Sequence, residues 1–200
     1  QVTAAGKLAV YEIDDLLFDQ TYPPPIHSYG TMVDDATYGE LLRGMALFNS
    51  AARCCRIGLA STKMLASQLG PLTQSGECLL HRNGVDQDNA FRQPDRSLKD
   101  TVDIFYGSGT KAHNSDLAAV IIPVMRHVLA RHKQARLVVM GYTELPVEFL
   151  DDFGDQVLIL PLIDNVRAYY EALQWADINL AVLKDDLFND CKSEIKWMEA

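Results

Sequence analysis

Phe188, Asn189, Lys192, Ser193, Lys196 and Glu199 stand where an apolar run, Asp177 to Val182, gives way through a loop to a helical pattern. Two lysines, a hydroxyl and an amide at that spacing could hold an anion. Residues three or four apart share a helix face, so Lys192, Lys196 and Glu199 would line one side of the first turns, with Ser193 as N-cap. Lysines at a helix N-terminus oppose the macrodipole at about 0.3–1 kcal/mol each, whereas free backbone N–H groups together with lysine suit a phosphate. The same pattern also fits a solvated face on which Asp185, Asp186, Asp190 and Glu194 neutralise the lysines.

A second segment carries chemistry of the same kind. Thr101 to Tyr106 reads as a buried strand running into Gly107-Ser108-Gly109-Thr110, after which Asn114 caps a helix beginning at Ser115. Glycine leaves a ligand free to approach the backbone. Strands and helices must position both segments. Apolar runs recur at Leu8–Ile13, Ile57–Ala60, Cys78–Leu80, Val102–Tyr106, Leu137–Met140, Val157–Leu160 and Ile178–Val182. Helical-period stretches fall between many of them, at Tyr38–Cys54, Lys63–Leu69, Ser115–His132, Val166–Trp175 and from Ser193 onward. The alternation predicts parallel sheets covered on both faces. Ligands of such sheets sit beyond the carboxyl ends of the strands, so the loops Gly107–Thr110 and Leu183–Ser193 are expected to meet. Pro123 should kink the helix that contains it by removing a hydrogen bond to Ala119. Asp88 to Asp100 is polar and aperiodic and reads as a linker, and Tyr22 to Ile26, with three prolines, as an extended connector.

Composition bounds the function. The chain of 200 residues is 48% hydrophobic and 22% charged, ordinary for a globular protein. Its net charge of −9, from 18 Lys plus Arg against 27 Asp plus Glu, argues against a general nucleic-acid binder, which needs a basic surface. Cys54, Cys55, Cys78 and Cys191 lack metal spacing and read as reduced thiols in a cytoplasmic protein. The longest apolar run, Leu117 to Met125, is half of what a bilayer span needs. The sequence opens without methionine just before a strand and stops within a helical pattern that has no C-cap. An internal piece of a longer enzyme is therefore expected.

Read as they stand, FYGSGTKAHNSD and FNDCKSEIKWMEA resemble segments of nucleotide-sugar glycosyltransferases of the group-1 type (family 4). Three further landmarks follow in order. Val10 to Phe18 looks like the acidic turn ending a strand of the acceptor-side domain, Ile57 to Thr62 like a strand entering a capped helix, and Arg82-Asn83-Gly84-Val85-Asp86 like the segment before the interdomain linker. The resemblance implies an α/β fold of GT-B type, with parallel Rossmann-like sheets and flanking helices, truncated at both ends. Residues 1–99 would be the C-terminal part of the acceptor-side domain plus linker, and residues 100–200 the N-terminal part of the nucleotide-sugar-binding domain.

The implied reaction moves a sugar from a nucleotide-diphosphate donor to a glycan or lipid-linked acceptor, with retention. Stabilising the departing diphosphate requires positive charge and backbone amides. By resemblance, the donor would be bound by Gly107, Ser108, Gly109, Thr110, Lys111, His113, Asn189, Ser193, Lys196 and Glu199, with Lys192 at the phosphates as a catalytic group. Glu199 matches the second of two family glutamates spaced eight apart, which holds the ribose hydroxyls. Cys191 replaces the first, which changes how the donor sugar is held. The family's frequent Arg and Lys pair after the first strand of the nucleotide domain is also absent, and Ser108, Lys111 and His113 occupy that region.

Asp14 takes the place where many relatives carry a histidine facing the acceptor. A carboxylate there would orient or deprotonate the attacking hydroxyl; alternatively Glu12, Asp14 and Asp15 cap the next turn. His113 reads equally as a neutral hydrogen-bonding group or a loop cap. The resemblance implies no cofactor and no metal, with the nucleotide sugar as substrate. It also implies a cytoplasmic location, peripheral to the inner face of the membrane if regions outside this sequence make that contact. Another GT-B activity, such as a nucleotide-sugar epimerase or a phosphorylase, and a non-catalytic nucleotide- or carbohydrate-binding module are the competing readings.

Overall fold

The structure, a computed structural model, describes residues 5–19, 24–85 and 99–200. The expected linker at Asp88 to Asp100 lies outside them except for Lys99 and Asp100, as do Asp86 of the pre-linker segment and Tyr22 and Pro23 of the proline run. The described residues fall into two compact units. One lies within Gln1–Ile26, Val33–Gly84 and Asp185–Glu194, the other within His27–Met32, Val85–Lys184 and Ile195–Ala200.

The first unit is built on a parallel sheet in the order β1 (Val10–Ile13), β2 (Ile57–Ala60), β3 (Cys78–Leu80). Helix α1 (Asp35–Cys54) joins the first two strands and α2 (Lys63–Leu69) the last two. Each helix starts where a side chain satisfies an orphan N–H. Asp34 accepts from Thr37 N at 2.7 Å ahead of α1, and Thr62 accepts from Leu65 N at 3.1 Å ahead of α2. The same Thr62 hydroxyl donates to Cys191 O at 2.9 Å, tying in the segment that carries the short helix α7 (Leu187–Asp190). Leu16, Phe18, Ala52, Ala60, Leu65, Leu69 and Cys191 form the core, with Leu187 and Phe188 packed against it.

The second unit holds a four-stranded parallel sheet in the order β6 (Val157–Leu160), β5 (Ala135–Gly141), β4 (Val102–Ser108), β7 (Ile178–Asn179). Period-2 alternation distributes its side chains between two cores. Ile104, Tyr106, Leu137 and Val139 pack on one face with Leu117, Met125 and Leu129, while Phe105, Val138 and Met140 pack on the other with Leu173 and Ala176 of and just after α6 (Val166–Trp175). Both faces are covered, as expected for strands that read as continuous apolar runs. The chain from Asn114 to Arg131 comprises α3 (Asn114–Asp116), a π turn (Leu117–Ile121) and α4 (Ile122–Arg131). The π turn ends one residue ahead of Ile122-Pro123, so the widened turn accommodates the missing N–H and the ring of Pro123. Helix α5 (Val147–Phe153) packs beside α4, and α8 (Ile195–Glu199) completes the unit's elements.

Gly141 closes β5 at φ +86°, and a Cβ there would lie 2.2 Å from Ser108 O, the acceptor of the Tyr142 N–H bond at 2.9 Å. Only glycine suits both the positive φ and the close approach. Gly141→Ala is expected to lower stability by at least about 1–2 kcal/mol; an unchanged urea midpoint would show that the turn relaxes without cost.

Candidate functional site

In the second unit, β4 delivers Gly107 and Ser108 to the carboxyl edge of the sheet. The order β6-β5-β4-β7 reverses beside β4, since the chain builds outward through β5 and β6 and then returns to β4's other side at β7. That reversal is where open parallel sheets bind ligands. Ser108 Oγ donates to Thr110 O at 2.7 Å and shapes the loop, while Gly109 has open space where a side chain would stand. Lys196 on α8 sends its ammonium to this edge, donating to Gly107 O at 3.0 Å, with Nζ 5.6 Å from the Tyr106 ring centroid.

A cavity of about 320 Å³ opens at this edge, lined by Gly107, Ser108, Gly109, Asp164, Tyr169 and Lys196 together with apolar side chains from β5 and the loop after β6. Glu199, three residues after Lys196, receives the hydroxyls of Tyr169 and Tyr170 at 3.4 Å each. A cation, backbone groups bare of side chains and a carboxylate therefore share one unit of the fold.

The rest of the glycine-loop segment serves the scaffold. Lys111 Nζ donates to Met32 O at 2.9 Å. His113 Nδ1 lies 2.8 Å from Asp116 Oδ2, and the buried Asp116 also accepts the Lys184 N–H at 3.1 Å. Asn114 is not the expected cap: the helical turn begins at Asn114 itself, after a 3-10 turn at Lys111–His113. Its amide instead pairs with Glu144, whose N–H donates to Asn114 Oδ1 at 2.8 Å. Sequence reading missed Glu144. Hydrogen bonds from the Thr31 side chain and backbone, reinforced by Asn114, hold its carboxyl below the usual carboxylate range. It stands on a larger cavity of about 610 Å³ with His27, Asn114 and Lys184, but its acceptor oxygens are already occupied by the segment His27–Met32 and by Asn114.

The expected single helix face carrying Lys192, Lys196 and Glu199 is not formed. Helix α8 begins at Ile195, so Lys192 and Ser193 precede its first turn, and Ser193 is not its N-cap residue. A five-residue helix also offers little macrodipole for an anion, so the expected helix-end contribution to phosphate binding is not supplied here. Lys192, Ser193 and Asn189 belong to the first unit. Lys192 Nζ pairs with Asp15 Oδ1 at 2.8 Å and lies 4.7 Å from the Phe188 ring centroid. Asn83 Nδ2 lies 3.0 Å from both oxygens of Asp14 and 2.8 Å from Ser193 Oγ, and Arg82 pairs with Glu194. These groups gather just beyond the carboxyl ends of β1 and β3. Asn189 is buried, its N–H donating to Asp186 Oδ1 at 2.9 Å.

Cys191 is fully buried in the apolar core of this unit, and burial, with help from Asp190, pushes its thiol up to about 11. The position where the family's first glutamate would fall is therefore a packing position in this chain. Among the described residues, no three or more His, Cys, Asp or Glu side chains gather as a metal site requires, and no helix is long and apolar enough to cross a membrane.

No protein-family model matches the chain, and no curated protein is significantly similar to it in sequence. Solved structures are similar in fold. A crystal structure of a mutant TarM of S. aureus in complex with fondaparinux, alpha-GlcNAc-glycerol and UDP superposes with a TM-score of 0.54 at 8% identity, over 86% of this chain and 31% of that one. A second TarM structure gives 0.51 at 9% identity with the same coverage. The chain thus spans about a third of the length of these neighbours. The shared fold is α/β, with parallel Rossmann-like sheets and flanking helices, of the GT-B type.

Proposed function

We propose that this chain is the core of a glycosyltransferase, its second unit holding the nucleoside diphosphate of a sugar donor. One observation carries the reading: the ammonium of Lys196 meets the glycine loop at the rim of a cavity at the carboxyl ends of β4, β5 and β6. Bare backbone beside a fixed cation suits the departing diphosphate, whose negative charge grows as the glycosidic bond breaks. Gly107, Ser108, Gly109 and Thr110 let the phosphates approach the backbone, and Lys196 supplies the charge. Glu199 takes the ribose hydroxyls, while Lys111 and His113 steady the loop through Met32 and Asp116. The UDP bound by the TarM mutant, whose fold this chain shares in part, agrees with a nucleotide donor.

In the first unit, Asp14 orients or deprotonates the acceptor hydroxyl, with Asn83 fixing the carboxylate and linking it to Ser193. Lys192 is the second catalytic group, its ammonium steadied by Asp15, and Asn189 shapes the turn that presents it. The acceptor is a glycan or a lipid-linked sugar, and transfer proceeds with retention in a cytoplasmic enzyme that needs no metal. The acceptor-side part is the first unit and the donor-side part the second, so the expected division into residues 1–99 and 100–200 is modified by Asp185–Glu194, which belongs to the first unit, and His27–Met32, which belongs to the second.

A non-catalytic nucleotide-binding module is the second reading, favoured by the burial of Cys191 where the family's first glutamate would be. Thermal-shift screening of the full-length protein against UDP-, GDP-, ADP- and dTDP-sugars tests the binding, since a ligand held only by the folded state raises the melting temperature. At least one donor should stabilise the protein, and none doing so would overturn the assignment. Release of free nucleoside diphosphate only when acceptor is present then separates a transferase from a bare binding module.

A further inference from the structure

The glycine loop Gly107–Thr110 is held at both ends by segments far from it in sequence. At its start, the Tyr142 N–H donates to Ser108 O at 2.9 Å. Just past its end, Lys111 Nζ donates to Met32 O at 2.9 Å. Asn114 then exchanges two hydrogen bonds with Glu144, whose N–H donates to Asn114 Oδ1 at 2.8 Å while Asn114 Nδ2 donates to Glu144 Oε2 at 3.3 Å. The ties past the loop's end lead to one short stretch, His27–Met32. The Thr31 N–H donates to Glu144 Oε2 at 2.9 Å and the Thr31 hydroxyl to Oε1, so a single residue holds both carboxylate oxygens.

The stretch is shaped for this contact. Gly30 stands at φ +61°, and a Cβ there would lie 2.1 Å from Glu144 Oε2 and 3.0 Å from Asn114 Nδ2. Only glycine lets the carboxylate come up under the Thr31 N–H. Ser28 and Tyr29 are buried and anchor the first half of the stretch, whereas Thr31 is exposed. The chain up to Ile26 and again from Val33 belongs to the first unit, so His27–Met32 is a strap that an otherwise separate run of chain contributes to the second unit. Hydrogen bonds to an ionised carboxylate are about twice as strong as neutral ones, yet bonds made at the surface open far more readily than those of a core. Such a contact has a closed form and an accessible open one.

We infer that His27–Met32 is a conformational strap, latched by Thr31 on Glu144, and that closing it orders the segment Gly107–Asn114 through Lys111 and Asn114. Thr31 and Glu144 are then positioning residues for the glycine loop. Losing one hydrogen bond to a charged group lowers the latching constant about tenfold. With about one molecule in ten open in the wild type, the open fraction then rises about fivefold and the closed fraction falls to about half.

Hydrogen exchange, read by mass spectrometry on the full-length protein, would compare the wild type with Thr31→Val, Thr31→Ser and Glu144→Gln. Valine keeps the shape and removes the hydroxyl, serine restores the hydroxyl, and glutamine removes the charge. Valine and glutamine should each speed exchange about fivefold in both His27–Met32 and Gly107–Asn114, with β5 unchanged and the serine variant close to the wild type. Faster exchange in His27–Met32 alone, no change in either stretch, or an equal increase in β5 overturns the coupling. If Thr31→Val does not fold, Glu144→Gln decides on the same criterion.

Calorimetry with UDP, ADP and GDP extends the test to the ligand, and only this measurement rests on the nucleotide reading above. A nucleotide that binds the closed form should show a Kd about doubled in Thr31→Val and restored in Thr31→Ser, and by reciprocity it should slow exchange in the wild-type strap. Binding with the same Kd in every variant overturns the strap's control of the loop and leaves nucleotide binding intact. Failure of all three nucleotides to bind the wild type removes the nucleotide reading, while the exchange pattern still decides the strap.

Discussion

Lys196→Ala is expected to raise the Kd of the full-length protein for its nucleoside diphosphate by about ten- to a hundredfold. A hydrogen bond to a charged group contributes about 1.5–3 kcal/mol, and each 1.4 kcal/mol is a factor of ten in affinity. The ammonium already stands at the cavity rim, 3.0 Å from Gly107 O, so little reorganisation separates its present place from a phosphate oxygen. Its partners in the fold include the neutral Gly107 carbonyl and the Tyr106 ring, so the melting temperature of the variant must be measured beside its affinity to separate a loss of binding from a loss of stability. Calorimetric titration checks the affinity and circular dichroism the fold. A stable variant that binds with wild-type affinity excludes Lys196 from the diphosphate site. Lys196→Arg separates charge from shape: the guanidinium keeps the charge but spreads it over a planar fork, so a partial loss is expected.

The placement of Lys196 beside Gly107 shows what the sequence could and could not reveal. Both segments were visible as motifs, because glycine and lysine are informative residue types wherever they stand near strand ends. Elements whose pattern is local were legible to the residue: β3 at Cys78–Leu80, β6 at Val157–Leu160, α2 at Lys63–Leu69 and α6 at Val166–Trp175 match their apolar periods. Elements decided by tertiary pairing were not. The run Ile178–Val182 is apolar but for Asn179, yet β7 holds only Ile178 and Asn179, which pair with Ile104 and Phe105. Helix α5 escaped notice because Asp151 and Asp152 interrupt its short apolar pattern, though Pro146 ahead of it was a usable start signal.

Site residues divide in the same way. Asn114 has the composition of a cap, but a cap depends on what else competes for its amide, and Glu144 lies thirty residues away. Tyr169 and Tyr170 carried no local signal, since a tyrosine on a core-facing helix is ordinary packing until a carboxylate is brought to its hydroxyl. Lys192, Lys196 and Glu199 fall on one face only if the helix starts at Ser193 as its N-cap. The chain at Lys192 to Glu194 is instead not helical, and Lys192 finds Asp15 far away in sequence.

Asp103 is the residue whose meaning was most open to sequence reading and yet was absorbed into an apolar strand. It is fully buried, and its register partner on β5 is Arg136, whose Nε lies 2.7 Å from Asp103 Oδ1. Lys99 Nζ stands 3.0 Å from Oδ2 and 3.8 Å from the Trp175 ring centroid, and Asp177 accepts the Asp103 N–H at 2.8 Å. A lone acid in a buried run, with a base at the matching place in the next strand, was the available signal. Arg136→Ala should cost about 3 kcal/mol, the lower end for breaking a buried pair, because Arg136 is partly exposed and Lys99 remains.

The pH dependence follows from the same cluster. Burial acts to raise the Asp103 pKa, but hydrogen bonds from Arg136 and Lys99 and their charges outweigh it and hold the carboxyl below its ordinary value. A depressed carboxyl binds fewer protons folded than unfolded. Its contribution is therefore complete above the unfolded pKa of about 3.9 and is lost as pH falls through the lower folded value. Glu144, also depressed, adds to the same acid limb. Urea midpoints measured from about pH 3 to 7 should show a wild-type plateau near neutrality and a fall on the acid side. In Arg136→Ala the folded pKa of Asp103 rises, so the plateau should be lower and the fall should begin at higher pH. A variant that loses stability equally at every pH would show that Arg136 contributes packing against Trp175 and not charge to Asp103.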